Sequence, residues 1–237
     1  MSGLSIVLAA YNEEDAIQEC VQEVLSYARG RDVEIILVND GSTDKTGPLI
    51  DSMEASHPGL IRSVHLPQNR GMGAALKAGY AMVTRPWVTM LPADGQIKPV
   101  EIDKLLALST DADVVTTLYG NRPVAPVRRL ISLALRALTV LIVGTRAKTE
   151  GNYLVRREVL SRFNLHSDSF LLNLEIPIRA KRAGLRVKTA TISVSPRIAG
   201  VSKAVTPRRI TDTFVELFEL RRILVAEALR SRFGNRP

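Results

Sequence analysis

LSIVLAAYNEE (Leu4–Glu14), EIILVNDGSTD (Glu34–Asp44) and WVTMLPADGQ (Trp87–Gln96) decide how this chain folds. Each is an apolar run that ends in a loop carrying a carboxylate. Ile35, Ile36, Leu37 and Val38 stand in an unbroken apolar series, which is how a strand buried on both faces reads. In open α/β sheets ligands sit in the crevice outside the carboxyl ends of the strands. Acidic groups repeated at that edge therefore predict a nucleotide and metal site with an acidic rim around a cation.

Around these three segments strands and helices alternate. Strands are expected at Ser5–Ala10, Val33–Asn39, Ile61–Leu66, Trp87–Leu91 and Asp113–Leu118. Between them helices are expected at Glu13–Ala28, from a cap at Ser42 or Thr43 to about Ser56, at Gly73–Thr84 and at Val100–Ser109. Such alternation implies βαβ units, a mostly parallel sheet and right-handed connections. Beyond Gly120 the pattern changes. Val127–Val143 is apolar but too short to cross a bilayer, which takes about 20 apolar residues. Glu150–Arg156 is expected as an edge strand, Leu172–Ala183 as a helix and Arg186–Val194 as a strand. The tail, Arg208–Arg232, is expected as an amphipathic helix with Ile210, Phe214, Leu217, Leu220, Leu224 and Ala228 at spacings of three or four.

The 237 residues suffice for one large α/β domain with a full core, and 46% hydrophobic content suits a globular protein. A lone Cys20 excludes a disulfide framework, and the scattered His57, His65 and His166 suggest no zinc site. The amino-terminal apolar run lacks a basic flank and breaks at Asn12, as a strand does, so a cytoplasmic setting is expected. The net charge of +8 conceals a split: residues 1–120 hold 9 Lys/Arg against 16 Asp/Glu, and residues 121–237 hold 23 against 8. The acidic half suits a divalent cation with a nucleotide diphosphate. The basic half suits an anionic acceptor, an anionic membrane face or nucleic acid, although the carboxylate-tipped strand ends would repel nucleic-acid phosphates.

Five motifs stand in order: Ala-x-Tyr-Asn-Glu (Ala9–Glu13), Val-Asn-Asp-Gly-Ser-Thr-Asp (Val38–Asp44), the Leu66–Gly79 segment with Asn69, Gly71 and Gly73, Ala-Asp-Gly-Gln (Ala93–Gln96) and Arg-x-x-Gly-x-Ser-Lys (Arg197–Lys203). In this the chain resembles the family 2 glycosyltransferases, in particular the polyprenyl-phosphate sugar synthases typified by dolichol-phosphate mannose synthase. The resemblance covers roughly residues 4–204. It implies an α/β GT-A fold, Rossmann-like, with a mostly parallel sheet flanked by helices. A single domain at 1–205 would comprise a nucleotide-sugar half (1–120) and an acceptor half (121–205), followed by a basic amphipathic helix at 206–237. It also implies inverting transfer of a sugar from a GDP- or UDP-linked donor to a polyprenyl phosphate. The family often adds transmembrane helices after the Arg-x-x-Gly-x-Ser-Lys segment, and since this sequence offers only Val127–Val143 and Arg208–Arg232 as membrane-facing segments, an enzyme peripheral to the cytoplasmic face of a membrane is expected.

Site residues follow from the motif positions. Ala9, Tyr11, Asn12, Glu13, Asp40, Gly71 and Gly73 are expected around the nucleotide, the glycines allowing close backbone approach; Asp40 equally suits an Asx turn beside Gly41. Residues 69–79 match the dinucleotide fingerprint poorly, since Leu76 stands at its third glycine. The family's Asp-x-Asp is reduced to Asp94, with Pro92 in the first place, so Asp94 and Gln96 are the expected catalytic and Mg²⁺ or Mn²⁺ residues. A catalytically inactive relative is the alternative. Arg122, Arg128, Arg129, Ser132, Arg197 and Lys203 are the expected acceptor-phosphate residues, or ordinary surface arginines in part. Glu175 is the sugar-site candidate, a helix-surface charge being an equal account. The 147–153 segment departs from the family's Asp-x-Thr-Ser-Gly-Phe in losing the Asp and carrying Glu150. A homo-oligomer or a membrane-anchored partner is a further expectation for the tail. A family 2 enzyme on a soluble acceptor, or a non-catalytic basic binding protein, is the rival reading.

Overall fold

Both faces of the sheet are covered, and the alternation of side chains along β2 (Val33–Asn39) shows how. Ile35 and Leu37 pack into one core cluster with Ile6 and Leu8 of β1 (Leu4–Ala10), while Ile36 and Val38 pack into the other with Val7. Side chains of period two placed between two helical layers give a strand with every residue buried. These strands belong to a computed structural model that describes residues 3–120, 140–144, 149, 151–196, 198 and 207–233, with side chains of the last segment described for 215–230.

The other elements are α1 (Ile17–Ala28), α2 (Thr46–Ser56), β3 (Ile61–His65), α3 (Met72–Tyr80), β4 (Trp87–Pro92), α4 (Ile102–Leu106), β5 (Val114–Tyr119), β6 (Tyr153–Arg156), α5 (Arg157–Arg162), α6 (Leu172–Arg182), β7 (Val187–Ile192) and α7 (Pro207–Phe233). Among the described residues the strands order β3-β2-β1-β4-β6-β5-β7. Only β6 runs against its neighbours. Helix α1 turns Ile17, Cys20, Val21, Val24, Leu25 and Ala28 to the first cluster at helical spacing. Helix α3 packs on the second, so closely that a β-carbon on Gly79 would lie 2.5 Å from Val7.

Several expected boundaries move, each for a polar reason. Helix α1 starts at Ile17 rather than Glu13, because the amides of Glu13 and Glu14 donate to Thr46 and Asp44 of another loop. Ser42 and Thr43 do not cap α2; they bond to Asn12. Helix α3 ends at Tyr80, and the connection that follows is held by Glu34, which accepts from the Thr84 amide and hydroxyl. The expected Val100–Ser109 helix divides into a 3-10 turn at Pro99–Glu101, α4, and a second turn at Ser109–Asp111. Strand β6 is not at the edge. It lies between β4 and β5, antiparallel to both, because Tyr153, Leu154 and Val155 are apolar in succession and fully buried. The edge on that side belongs to β7, whose burial is partial.

By packing, residues 1–122 with 148–201 form one compact unit, which holds the sheet, and residues 123–147 with 202–237 form a second. In the second unit residues 140–143 are helical, and Leu217, Leu220 and Leu224 of α7 are buried as the apolar spacing predicts. Arg221 donates to the carbonyls of Leu141 and Ile142. No helix among the described residues is long and apolar enough to cross a membrane.

Candidate active site

Parallel register sets the carboxyl ends of β2, β1 and β4 abreast, with Ala10 opposite Asn39 and Ala9 opposite Pro92. From β1 the chain builds β2 and β3 on one side, then crosses to lay β4 on the other. The loops after β1 and β4 therefore part around a crevice, the place where such sheets hold ligands. Residues 11–14, 40–44 and 93–96 all emerge there.

The first two loops are laced together. Asn12, in the left-handed region at φ 52°, donates its amide to Ser42 Oγ at 3.0 Å and accepts the Thr43 amide at 2.9 Å on Oδ1. The Glu13 amide donates to Thr46 Oγ1 (2.9 Å), the Glu14 amide to Asp44 (3.2 Å) and the Lys45 amide to Glu14 (3.0 Å). Asn39 completes the lacing by accepting the Ser42 amide at 2.9 Å. Asn12, Glu14 and Asp44 thus shape the rim, while Tyr11 and Glu13 stand partly exposed on it.

Asp40 is buried one residue past β2 and joins the second loop to the turn before α3. Its oxygens accept from the Arg70 amide (2.8 Å), the Gly71 amide (3.0 Å) and Asn69 Nδ2 (3.1 Å). Burial pushes its pKa up, and the two amides and the Arg70 charge oppose the rise. The close approach that Gly71 and Gly73 allow is to the chain itself. A β-carbon on Gly71 would lie 2.6 Å from the Asp168 carbonyl, and one on Gly73 2.6 Å from those of Ser167 and Ser169. The Asp168 carbonyl also accepts the Gly73 and Ala74 amides, at 2.8 and 3.1 Å, capping the start of α3. Dinucleotide binding in the manner of the glycine fingerprint, with phosphate on those amides, has no place in this arrangement.

In the third loop Asp94 is buried, and its Oδ1 accepts the Gln96 amide at 3.1 Å around Gly95, at φ 69°. The Ile198 amide donates to the Asp94 carbonyl at 3.1 Å and the Ser195 amide to that of Gln96 at 2.8 Å. Beneath, the Cys20 thiol donates to the Pro92 carbonyl at 3.6 Å, and burial raises its pKa to about 12, which leaves it inert. Asp94 is the one carboxylate of this loop, and no group of three or more His, Cys, Asp or Glu suited to a metal occurs among the described residues. That donor set fits a hard cation held largely by a ligand's phosphates and by water, as Mg²⁺ usually is, and not a cage made of protein.

Glu175 lies in the first turn of α6 and is fully buried, so a helix-surface charge is not its role. Its oxygens accept the His166 amide (3.1 Å), the Ser167 amide (2.9 Å) and Arg179 Nε (2.7 Å). Burial would raise its pKa, but the Ser167 amide, Arg179 and the His166 amide hold it below the usual carboxylate range. Glu175 thereby fixes the 166–167 turn. Asp168 follows directly, pairing with Arg70 (3.3 Å) and Lys77 (2.6 Å) and capping α3. No motif marked Asp168 or Ser167, and only the fold brings them to α3. Arg122, Arg128, Arg129, Ser132, Arg197 and Lys203 lie outside the described residues, as do residues 145–148 and 150 of the altered segment.

Over 204 residues the chain is 31% identical to a dolichyl-phosphate beta-glucosyltransferase of Trichomonas vaginalis, covering 78% of this chain and 63% of that protein. It is 30% identical over 209 residues to an undecaprenyl-phosphate 4-deoxy-4-formamido-L-arabinose transferase of Klebsiella pneumoniae, covering 84% of this chain and 62% of that one. The chain thus spans less than two thirds of either relative. Among solved structures it resembles Mycobacterium tuberculosis glucosyl-3-phosphoglycerate synthase in complex with UDP, with a TM-score of 0.71 and 22% identity over 93% of this chain and 80% of that one. The same enzyme with Mn²⁺, UDP and glucosyl-3-phosphoglycerate aligns at a TM-score of 0.65 and 23% identity, over 100% of this chain and 81% of that one. At such identity the likeness shows the fold, which is GT-A. The model for "Glycosyl transferase family 2" matches residues 5–178, from β1 into α6 and through all three loops, and the chain belongs to that family.

Proposed function

We propose that this glycosyltransferase moves a monosaccharide, with inversion, from a nucleotide diphosphate sugar to a polyprenyl phosphate at a membrane surface. The observation that carries the reading is that the loops after β1, β2 and β4 come to one edge of the sheet where the strand order reverses, the first two laced together and the third carrying the buried Asp94, in a chain whose curated relatives are named for polyprenyl-phosphate acceptors.

Tyr11 offers the nucleobase a wall, Glu13 a ribose contact, and Asp40 holds the 69–71 turn that closes the pocket. Asp94, with Gln96 directly or through water, would hold Mg²⁺ or Mn²⁺ on the donor's diphosphate. When bound, that ion stabilises charge on the departing nucleoside diphosphate. A phosphate monoester is already an anionic nucleophile at neutral pH, so no strong general base is required. Arg122, Arg128, Arg129, Ser132, Arg197 and Lys203 are assigned to aligning that phosphate, arginine being suited to two parallel bonds. Glu175 acts as a positioning residue for the sugar side of the crevice, through the 166–168 turn. The division into residues 1–205 and a membrane-facing tail at 206–237, a peripheral place on the cytoplasmic face, and an oligomer or membrane-anchored partner belong to the same proposal.

Incubation with radiolabelled UDP- and GDP-sugars and membranes should carry label into the organic phase. Label that enters only water-soluble product would favour a soluble acceptor instead.

A further inference from the structure

A line of hydrogen bonds runs from α2 through β3 and β2 to the laced rim, and chemistry decides the donor at each step. The Ser42 amide can only donate, and it meets Asn39 Oδ1 at 2.9 Å. Asn39 therefore turns its Nδ2, which also can only donate, to His65 Nδ1 at 3.2 Å. His65 Nδ1 must then accept, which leaves the imidazole's one proton on Nε2, where Asp51 receives it at 3.0 Å. At the far end Ser42 Oγ accepts the Asn12 amide at 3.0 Å. Asn39 is buried, and a β-carbon on Gly47 of α2 would lie only 3.0 Å from its Nδ2, so the amide is packed in place. No motif marks His65 or Asp51.

We infer that His65 is a positioning residue for the nucleotide rim, keeping the Asn39–Ser42–Asn12 line in order only while its ring is neutral. The inference rests on the nucleotide reading of that rim given above and adds what controls it. A proton on Nδ1 sets donor against donor at Asn39 Nδ2. Turning the Asn39 amide over only moves the conflict, because Nδ2 then faces the Ser42 amide. In either orientation the rim loses one hydrogen bond, and Ser42 loses the contact that holds its hydroxyl under the Asn12 amide. On this side of the sheet β2 presents Ile35, Leu37 and Asn39, none of them charged. Helix α2 presents Asp51 and, a turn further on, Glu54, whose carboxylate accepts the Ser63 hydroxyl. The His65 side chain is 35% exposed, so protons reach it from solvent.

Calorimetry on the full chain measures UDP and GDP affinity with Mg²⁺ from about pH 8 to about pH 5, the range in which histidine side chains change charge. Wild type is compared with His65→Asn, which keeps an acceptor where Nδ1 stands but takes up no proton, and with His65→Leu, which keeps neither property. The nucleotide phosphates titrate alike for all three, so the difference between proteins is the readout. Nitrogen NMR of the ligand-free protein reads the imidazole tautomer and the exchange protection of the Ser42 amide. At the alkaline end wild type should carry its proton on Nε2. On acidification it should lose about threefold to tenfold in affinity relative to His65→Asn, the worth of one hydrogen bond, while His65→Leu should start at the lower affinity and stay there. A wild-type proton on Nδ1, or wild-type and His65→Asn profiles that run parallel, overturns the proposal. If wild type binds neither nucleotide, but its Ser42 amide loses protection on acidification and that of His65→Asn does not, the nucleotide reading falls and the relay stands. Unchanged protection in both proteins sinks the relay whatever the nucleotides do.

Discussion

Replacing Glu175 by alanine removes one carboxylate and disturbs three groups that depend on it. Arg179, buried beside it at 2.7 Å, loses this ion pair, and the His166 and Ser167 amides lose their acceptor. Breaking one side of a buried ion pair costs roughly 3–5 kcal/mol, and each stranded amide about 1–3 kcal/mol before relaxation. With water entering to recover part of this, about 4–6 kcal/mol is expected, a large share of the total stability of an ordinary domain. For a protein of this size that corresponds to a fall of roughly 10–20 °C in melting temperature. Glu175→Gln, which keeps an acceptor but no charge, should lose about half as much. Urea unfolding followed by circular dichroism measures both, and a cycle with Arg179→Ala should show coupling above about 1 kcal/mol. A loss below about 1 kcal/mol for Glu175→Ala would refute the assignment of this carboxylate to the 166–167 turn.

Gly73→Ala should destabilise by roughly 2–3 kcal/mol, because its new methyl meets two backbone carbonyls that cannot swing aside; Gly30→Ala, at φ 70° but in open space, should cost only about 1–2 kcal/mol, and thermal melts compare them. Glu34 is a case of linkage: burial alone would raise its pKa, but the Ser5 hydroxyl and the Thr84 and Arg85 groups lower it from 4.5 to about 2. Since the folded value is the depressed one, roughly 3 kcal/mol is present above pH 4.5 and lost as pH falls toward 2; Glu34→Gln should flatten that limb of an acid titration. Asn12→Ala removes the Thr43 amide's acceptor and a side chain that tolerates positive φ. Nucleotide affinity should fall several-fold by calorimetry, and Asn12→Gly should restore the part due to the backbone.

The parallel half of the sheet was legible because its strands are apolar on both faces and their loops end in repeated carboxylates. Strand β6 was not. Tyr153–Arg156 is four residues long after Gly151, and its central place depends on pairing with Trp87–Thr89 and Val114–Thr116, far away in sequence. The position of Asp40 at the site edge could be read from Val-Asn-Asp-Gly, but not that its oxygens are taken by the 69–71 turn. Equally, Gly71 and Gly73 signalled a close approach without saying to what, and the answer lies about 95 residues on, at Ser167–Ser169. Glu175 could be marked only through the family's helix that the 172–187 segment resembles; its burial against Arg179 is a tertiary fact. Local pattern carries the elements and the edge they share, whereas the partners of polar side chains depend on which loops the fold brings together.

If the proposed function is right, the carboxyl edge between β1 and β4 binds a nucleoside diphosphate through a divalent cation held by the Asp94 carboxylate. Calorimetric titration of UDP and GDP into wild type and Asp94→Asn, with and without Mn²⁺, tests it most directly. Wild type should bind at least one of the two nucleotides far more tightly with Mn²⁺ than without, and Asp94→Asn should lose about tenfold or more of that metal-dependent gain. Nucleotide binding that ignores Mn²⁺, or an Asp94→Asn variant that binds like wild type, would contradict it.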